Sequence, residues 1–403
     1  MLSEDMIDKL MQPIIDRQEA INTYVITKIA AEIKRIGELS PSSLHQLERL
    51  YSTGADVKKI EEVIAAMVGM QIVDIKKLIK QVALLGYNDA KPFFDYTKAQ
   101  FVPFDKNTEI QRVVKAVQKQ TVDEYRNLSK AQAFMIRDMK NPKKLIPTPM
   151  AKTYQSVVDE SIQAVQSGVV DYNTAMRRTL DQLSQSGVRV IYQAESGKIH
   201  TQRMDTAVKR NLLDGVRAIN QGVQDEVGKE FGADGKEITV HRFSAPDHEP
   251  IQGHQFTNAE YEKLQTEQDF QDAQGRKFMA IRRPIGAWNC RHFTYSIIIG
   301  HSKPIYSDER LEEMKEDNNK GYTLPNGRHL TMYECTQYQR QLETSIRYAK
   351  EGKVAADAAG NKADSDKYLA KVSQLMKEYM AFCKDTGLSA KLPNLKVKGY
   401  TDK

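Results

Sequence analysis

Residues 188–222 read VRVIYQAESGKIHTQRMDTAVKRNLLDGVRAINQG, and this stretch decides the fold class. Val188–Gln193 is dominated by β-branched and aromatic residues, the composition of a strand. From about Thr201 to Val227 the apolar residues recur at helical spacing, so a long helix is expected next. The period then shortens again. Ile238, Val240 and Arg242 alternate with Thr239, His241 and Phe243 as in a strand. Lys277–Arg283 and Phe293–Ile299 are further strand candidates, and the second ends in an apolar run that predicts burial. Residues 188–305 therefore read as a small α+β module.

Helices are expected on both sides of it. Upstream, Met6, Leu10, Ile14 and Ile15, then Ile21, Val25, Ile29 and Ile33, keep an i, i+4 rhythm up to Gly37. Ser40-Pro41-Ser42-Ser43 reads as an N-cap before Leu44, Leu47 and Leu50. Two more helices are expected, one from Asp56 through Met67 and one from Val73 to Leu85, closed by Gly86. The last carries lysines without an Arg, Asn or Gln cluster, so the region reads as a packed bundle and not as a helix-turn-helix reader. Pro142, Pro147 and Pro149 predict a linker, followed by connecting helices with Tyr154–Val165 and Met176–Leu183 on their apolar faces. Downstream, Tyr333, Tyr338, Leu342, Ile346 and Ala349 trace one helix, and Tyr368, Val372, Leu375, Tyr379 and Phe382 another, together a hairpin. The fold class is α+β and predominantly α. Its parts are a helical N-terminal region (1–140), a linker with connecting helices (141–187), the central module (188–305), a C-terminal helical hairpin (306–390) and a basic tail (391–403).

Composition bounds the function. The chain has 403 residues, 40% hydrophobic and 28% charged, which fits several globular domains and not a disordered chain. No run approaches the ~20 apolar residues that cross a bilayer. The acidic opening MLSEDMIDKL lacks a basic n-region, so no signal peptide is expected. Cys290, Cys335 and Cys383 are odd in number and far apart, against a disulfide framework. The net charge of +6 is uneven: residues 321–403 hold 14 Lys/Arg against 9 Asp/Glu. Lys391, Lys396, Lys398 and Lys403 make the tail the candidate for sequence-blind DNA contact.

The polar chemistry is concentrated in two cassettes, Asp247-His248-Glu249-Pro250-Ile251-Gln252-Gly253-His254 and Trp288-Asn289-Cys290-Arg291-His292. His248, His254, Cys290 and His292 suit zinc by ligand type. Their spacing is neither that of a helical HExxH pair nor that of a zinc knuckle. Hydrogen-bonded packing is the reading preferred over a metal, with no cofactor expected; Gly253 would allow a tight turn, and Trp288 would pack in the core. A Cys290 nucleophile with a histidine base is the enzymatic alternative. No glycine-rich phosphate loop or Gly-x-Ser-x-Gly element is present.

Together these residues resemble the minor capsid proteins of tailed bacteriophages, the type 2 family related to the Mu-F-type head morphogenesis proteins. The resemblance is carried in order by the Leu-Ser-Pro-Ser-Ser cap, by VIYQAESGKIHTQRMDTAVKRNLLDGVRAINQG and by the cassette of His248, Gln252 and Gly253. Asn289-Cys290-Arg291-His292 and the helix with Tyr333, Glu334, Thr336, Gln337, Arg340, Leu342, Glu343, Ile346 and Arg347 complete it. It spans roughly 1–385. This chain departs from the family at Ser244–Asp247, where an Arg-rich approach is usual, at Ile251 in place of a Trp, and at Trp288 in place of a Gly. The resemblance implies a structural, non-enzymatic virion protein, of low copy number inside the head at the portal vertex. It also implies contacts with the portal protein, the capsid shell or other head proteins, and packaged DNA. Assembly would take place in the host cytoplasm, without a membrane. The competing readings are a zinc- or cysteine-dependent nucleic-acid-processing enzyme and a non-specific DNA-binding protein. Residues 321–403 read as two helices, not as an added catalytic domain.

Overall fold

The computed structural model describes residues 4–37, 55–137, 144–149, 152–153, 174, 177–178, 181, 183, 186–193, 198–266, 268–272, 274–281, 283–286 and 290–401. The helices among them are α1 (Glu4–Gly37), α2 (Ala55–Asp89), α3 (Lys91–Thr97), α4 (Thr108–Lys130), α5 (Met204–Phe231), α6 (Asn258–Gln265), α7 (Asp308–Lys320), α8 (Met332–Ala358) and α9 (Lys362–Thr386). The strands are short: β1 (Gln132–Arg137), β2 (Leu145–Pro149), β3 (Arg189–Gln193), β4 (Ile199–Arg203), β5 (Gly235–Ile238), β6 (Gln255–Thr257), β7 (Phe270–Gln271), β8 (Lys277–Phe278), β9 (Thr294–Ile297), β10 (Tyr322–Thr323) and β11 (His329–Leu330). The fold is α+β and predominantly α, as the periodicity predicts. The chain forms two compact units that are discontinuous in sequence. One holds Met1–Gln12, Ile72–Glu124 and Lys209–Gln337; the other holds Pro13–Gln71, Tyr125–Val208 and Tyr338–Lys403.

In the first unit α5 is the central rod. Helix residues bury Leu212, Val216, Ile219, Val223 and Val227, a spacing of three and four that places them on one stripe. Its glycines let neighbours approach closely. A Cβ at Gly215 would lie 2.5 Å from Thr121 Oγ1, one at Gly222 2.5 Å from Val113 Cγ1, and one at Gly228 2.7 Å from Ser296 Oγ. Thus α4 and β9 both pack where α5 has no side chain. The sheet runs β6-β5-β9, antiparallel throughout, with Glu237 opposite both Gln255 and Tyr295. Below it Ile238, Ile251, Phe256, Leu264, Phe270 and Phe278 join one apolar cluster that also includes Cys290. Thr257 and Glu260 form a reciprocal capping box that starts α6 immediately after β6.

The second unit contains the sheet β2-β1-β3-β4, also antiparallel. A buried ion cluster lies at the end of β4. Arg203 donates to Asp205 at 3.0 Å and to both oxygens of Glu351 at 3.2 and 2.7 Å, and Arg347 also binds Asp205. Burial opposes ionisation of Asp205, but the two guanidiniums hold its carboxyl far below the ordinary range. Glu19 stands 3.7 Å from Arg347 as a third carboxylate against two guanidiniums. Burial, reinforced by Asp205, pushes its pKa up to about 8. Helices α8 and α9 form the expected hairpin; Gly352 admits the Tyr368 ring, and Asn361 caps α9.

Several sequence expectations are corrected. The two helices read before and after Gly69 are one, α2, which also passes through Gly86: packing overrides the weak helix propensity of glycine. The linker containing Pro147 and Pro149 is strand β2, at the edge of its sheet, where a missing N–H costs no ladder bond. β1 lies within the stretch expected to be helical. Thr201 belongs to β4, and α5 begins at Met204 because residues 199–203 pair with β3. Among the described residues of Lys277–Arg283, only Lys277–Phe278 is strand. Residues 391–403 read as a terminal arm ordered only by a partner, yet their described part packs on the chain: Leu395 is buried, Lys350 Nζ donates to its carbonyl at 3.0 Å, and Asn394 Nδ2 donates to Glu343 at 3.1 Å. The Ser40–Ser43 cap, the Tyr154–Val165 helix, most of the following helix and Trp288 lie outside the described residues.

These contacts lead to two expected outcomes. Gly222→Ala should destabilise the protein by about 1–3 kcal/mol through overpacking against Val113, read from urea unfolding. For Glu19 the folded pKa exceeds the unfolded 4.5, so its stabilisation is complete below pH 4.5 and is lost as pH rises towards 8. The loss is at most ~1.4 kcal/mol per pH unit, and Glu19→Gln should flatten that slope in unfolding measured between pH 5 and 8.

Candidate functional site

The two cassettes meet in the first unit. Residues 243–253 form a succession of turns, with His248 N–H donating to Ala245 O at 2.9 Å and Gln252 N–H returning to His248 O at 3.2 Å. Gly253 closes the loop at φ +73°, and its N–H donates to Ile238 O at 2.9 Å. A Cβ there would lie 2.6 Å from Leu311 and 2.8 Å from Val240, so the turn needs glycine for both conformation and space. The second cassette enters β9: Phe293 O accepts from Thr239 N–H at 3.0 Å, and Thr239 Oγ1 accepts from Phe293 N–H at 2.9 Å.

This closure brings His248, Cys290 and His292 together, all buried. The two Nδ1 atoms are 3.3 Å apart, and Cys290 Sγ lies 3.6 Å from that of His248 and 3.7 Å from that of His292. The opposite edges of both rings are engaged. His248 Nε2 contacts the Arg283 carbonyl at 2.6 Å, and His292 Nε2 contacts Gln252 Oε1 at 3.4 Å. Burial opposes a charge on His248, but Cys290 and the Arg283 carbonyl raise its pKa above the ordinary value. Burial likewise opposes a thiolate at Cys290, yet His248 and the backbone amides of Gly286 and His292 bring its pKa down.

His254 is not in this group, which corrects the expectation of a four-residue set. Its Nδ1 accepts from Arg276 Nη1 at 3.0 Å, and its ring lies edge-on to Phe278, 5.6 Å between centroids. Gly253 turns the chain between His248 and His254, so the two imidazoles diverge. Burial and Arg276 both lower the His254 pKa. Among the tail lysines Lys391, Lys396 and Lys398 are exposed; Lys403 lies outside the described residues.

A family model for phage minor capsid protein 2 matches residues 2–384. The chain belongs to that family. No curated protein and no solved structure matches it.

Arg283, Gln252 and Arg217 of this minor capsid protein support the site, and no such role was read for them from the sequence. Arg283 binds Asp247 in a fork, both contacts 3.0 Å, and so fixes the carbonyl that meets His248. Gln252 accepts from His241 N–H at 2.8 Å, which turns its Oε1 towards His292. Arg217 on α5 holds the Cys290 carbonyl at 2.7 Å and Asp214 at 2.8 Å. No motif spacing marks these partners, since they come from separate elements. An open groove of about 820 Å³, lined in part by Arg217, Gln221, Asp225, Tyr261 and His292, runs beside the site.

Proposed function

We propose that this protein is a low-copy, non-enzymatic component of the phage head, placed inside the shell at the portal vertex. Its partners there are the portal protein, neighbouring head proteins and packaged DNA, and it is present in the host cytoplasm during assembly. The observation that carries this reading is the family match over residues 2–384, nearly the whole chain. The burial of Cys290, 3% exposed, supports a structural role over a nucleophilic one, because a substrate must reach the sulfur. No helix among the described residues is long and apolar enough to cross a membrane.

Quantitative mass spectrometry of purified DNA-filled heads tests the placement. The expected result is a copy number far below that of the shell protein, together with cross-links to the portal. Absence from heads, or parity with the shell protein, would overturn it.

DNA contact in this reading is electrostatic and indifferent to sequence, and the exposed Lys391, Lys396 and Lys398 are its proposed source. Deleting the tail would remove buried Leu395 as well, so charge must be changed without shortening the chain. The triple Lys→Gln variant should weaken binding equally for unrelated duplexes and reduce the salt slope by about 2–3. Unchanged affinity and slope, measured by fluorescence anisotropy over a salt series, would remove the tail from the interface.

A further inference from the structure

The geometry points to a zinc ion held by His248 Nδ1, Cys290 Sγ and His292 Nδ1, clamping the two cassettes of the α+β module together. Three independent features of the site lead there. The first is the size of the donor triangle. Zinc–nitrogen bonds of about 2.0–2.1 Å and zinc–sulfur bonds of about 2.3 Å, arranged tetrahedrally, require edges of about 3.3–3.4 Å between nitrogens and about 3.5–3.6 Å from sulfur to nitrogen. The observed edges are 3.3, 3.6 and 3.7 Å.

The second feature is that the surroundings fix both rings in the ligand tautomer. The Arg283 carbonyl only accepts, so His248 carries its proton on Nε2. Gln252 presents oxygen to His292, because the opposite orientation would set its NH2 against the His241 N–H. His292 therefore also carries its proton on Nε2. Both Nδ1 lone pairs then face one another and the sulfur. A neutral triangle of this kind offers one S–H proton for three short edges, an arrangement that a cation resolves. Such outward ring hydrogen bonds are the usual partners of histidine ligands.

The third is enclosure combined with access. The donors are buried, yet His292 borders the groove beside α5, which gives an ion a route in. A fourth donor completes the tetrahedron. Water supplies it, since His241, whose ring lies edge-on to His292 with 4.4 Å between centroids, is not among the residues whose ligand atoms converge. His254 takes no part, since Arg276 occupies its Nδ1. This inference stands apart from the head placement, and either can fail alone.

Untagged full-length protein, purified without added metal or chelator and analysed by plasma mass spectrometry, should carry about one zinc per chain. Cys290→Ser and His292→Ala should each reduce this to under about a fifth, while His254→Ala retains it. Should the triangle variants fail to fold, wild-type protein stripped by a chelator and refilled with Co²⁺ gives the answer. It should show the visible bands of a tetrahedral ion with a thiolate charge-transfer band, and Tm should fall on stripping and recover with zinc. Folded wild-type protein without transition metal, and without a cobalt–thiolate band on loading, would overturn the proposal. So would full zinc content in the folded Cys290→Ser, His292→Ala double variant, because the ion would then lie elsewhere.

Discussion

The first unit depends on how closely α4 and β9 approach α5. Gly215, Gly222 and Gly228 each cost roughly 1 kcal/mol of helix propensity relative to alanine. In return Thr121, Val113 and Ser296 occupy positions where any Cβ would collide. At that distance polar side chains of α5 reach the strand backbone. Ser296 N–H donates to Gln224 Oε1 at 3.2 Å, Ser296 Oγ donates to Gln224 O at 2.7 Å, and Asn220 Nδ2 reaches Thr294 O at 3.5 Å. Strand β9 is thereby fixed along its length by a helix as well as by β5. The segment leading into it, Cys290–Phe293, inherits that position, and Arg217 holds the Cys290 carbonyl from the same helix.

The opposite cassette is placed by a different device. Gly253 lets the turn chain pass between Leu311 and Val240, and its N–H binds the last residue of β5. Since β5 is the middle strand, with β6 and β9 on either side, both cassettes are referred to one strand. The meeting of His248 with Cys290 and His292 is therefore a consequence of sheet order and of two close approaches, not of sequence spacing.

That distinction explains what could be read in the sequence. The helix at α5, the strands at β3 and β9, and the α8–α9 hairpin were legible because each is a local pattern repeated over several residues, whereas the alternation read over Ile238–Phe243 shares only Ile238 with β5. Glycine and proline misled where tertiary packing outweighed local propensity. Asp56–Met67 and Val73–Leu85 read as two helices, the second closed by Gly86, but both belong to α2, and Pro147 and Pro149 read as a linker but form an edge strand. The short β4 was hidden because its neighbour α5 begins without a break, so the helical pattern extended backwards over it. At the site, residue type pointed to four candidate ligands. Which three converge depended on the rotation of the chain at Gly253, a backbone property with no side-chain signal. Gln252, Arg283 and Arg217 act through hydrogen bonds across separate elements, and nothing in their own neighbourhoods announces that.

A sheet of three- and four-residue strands buries little apolar surface per strand, and a module built that way gains from cross-links at its centre. The ion cluster of the second unit plays a comparable part there. Arg203, Asp205 and Glu351 are each nearly inaccessible, so removing one leaves an unpaired buried charge, at a cost of about 3–5 kcal/mol. Both clusters join residues that are distant in sequence, 148 positions between Arg203 and Glu351 and 42 between His248 and Cys290. Such contacts form only when the chain is fully folded, since the loop entropy must be lost before the contact can stabilise anything. Polar chemistry of this kind serves a protein selected to hold one shape. Its loss would appear as protein missing from assembled heads rather than as heads containing an inert protein.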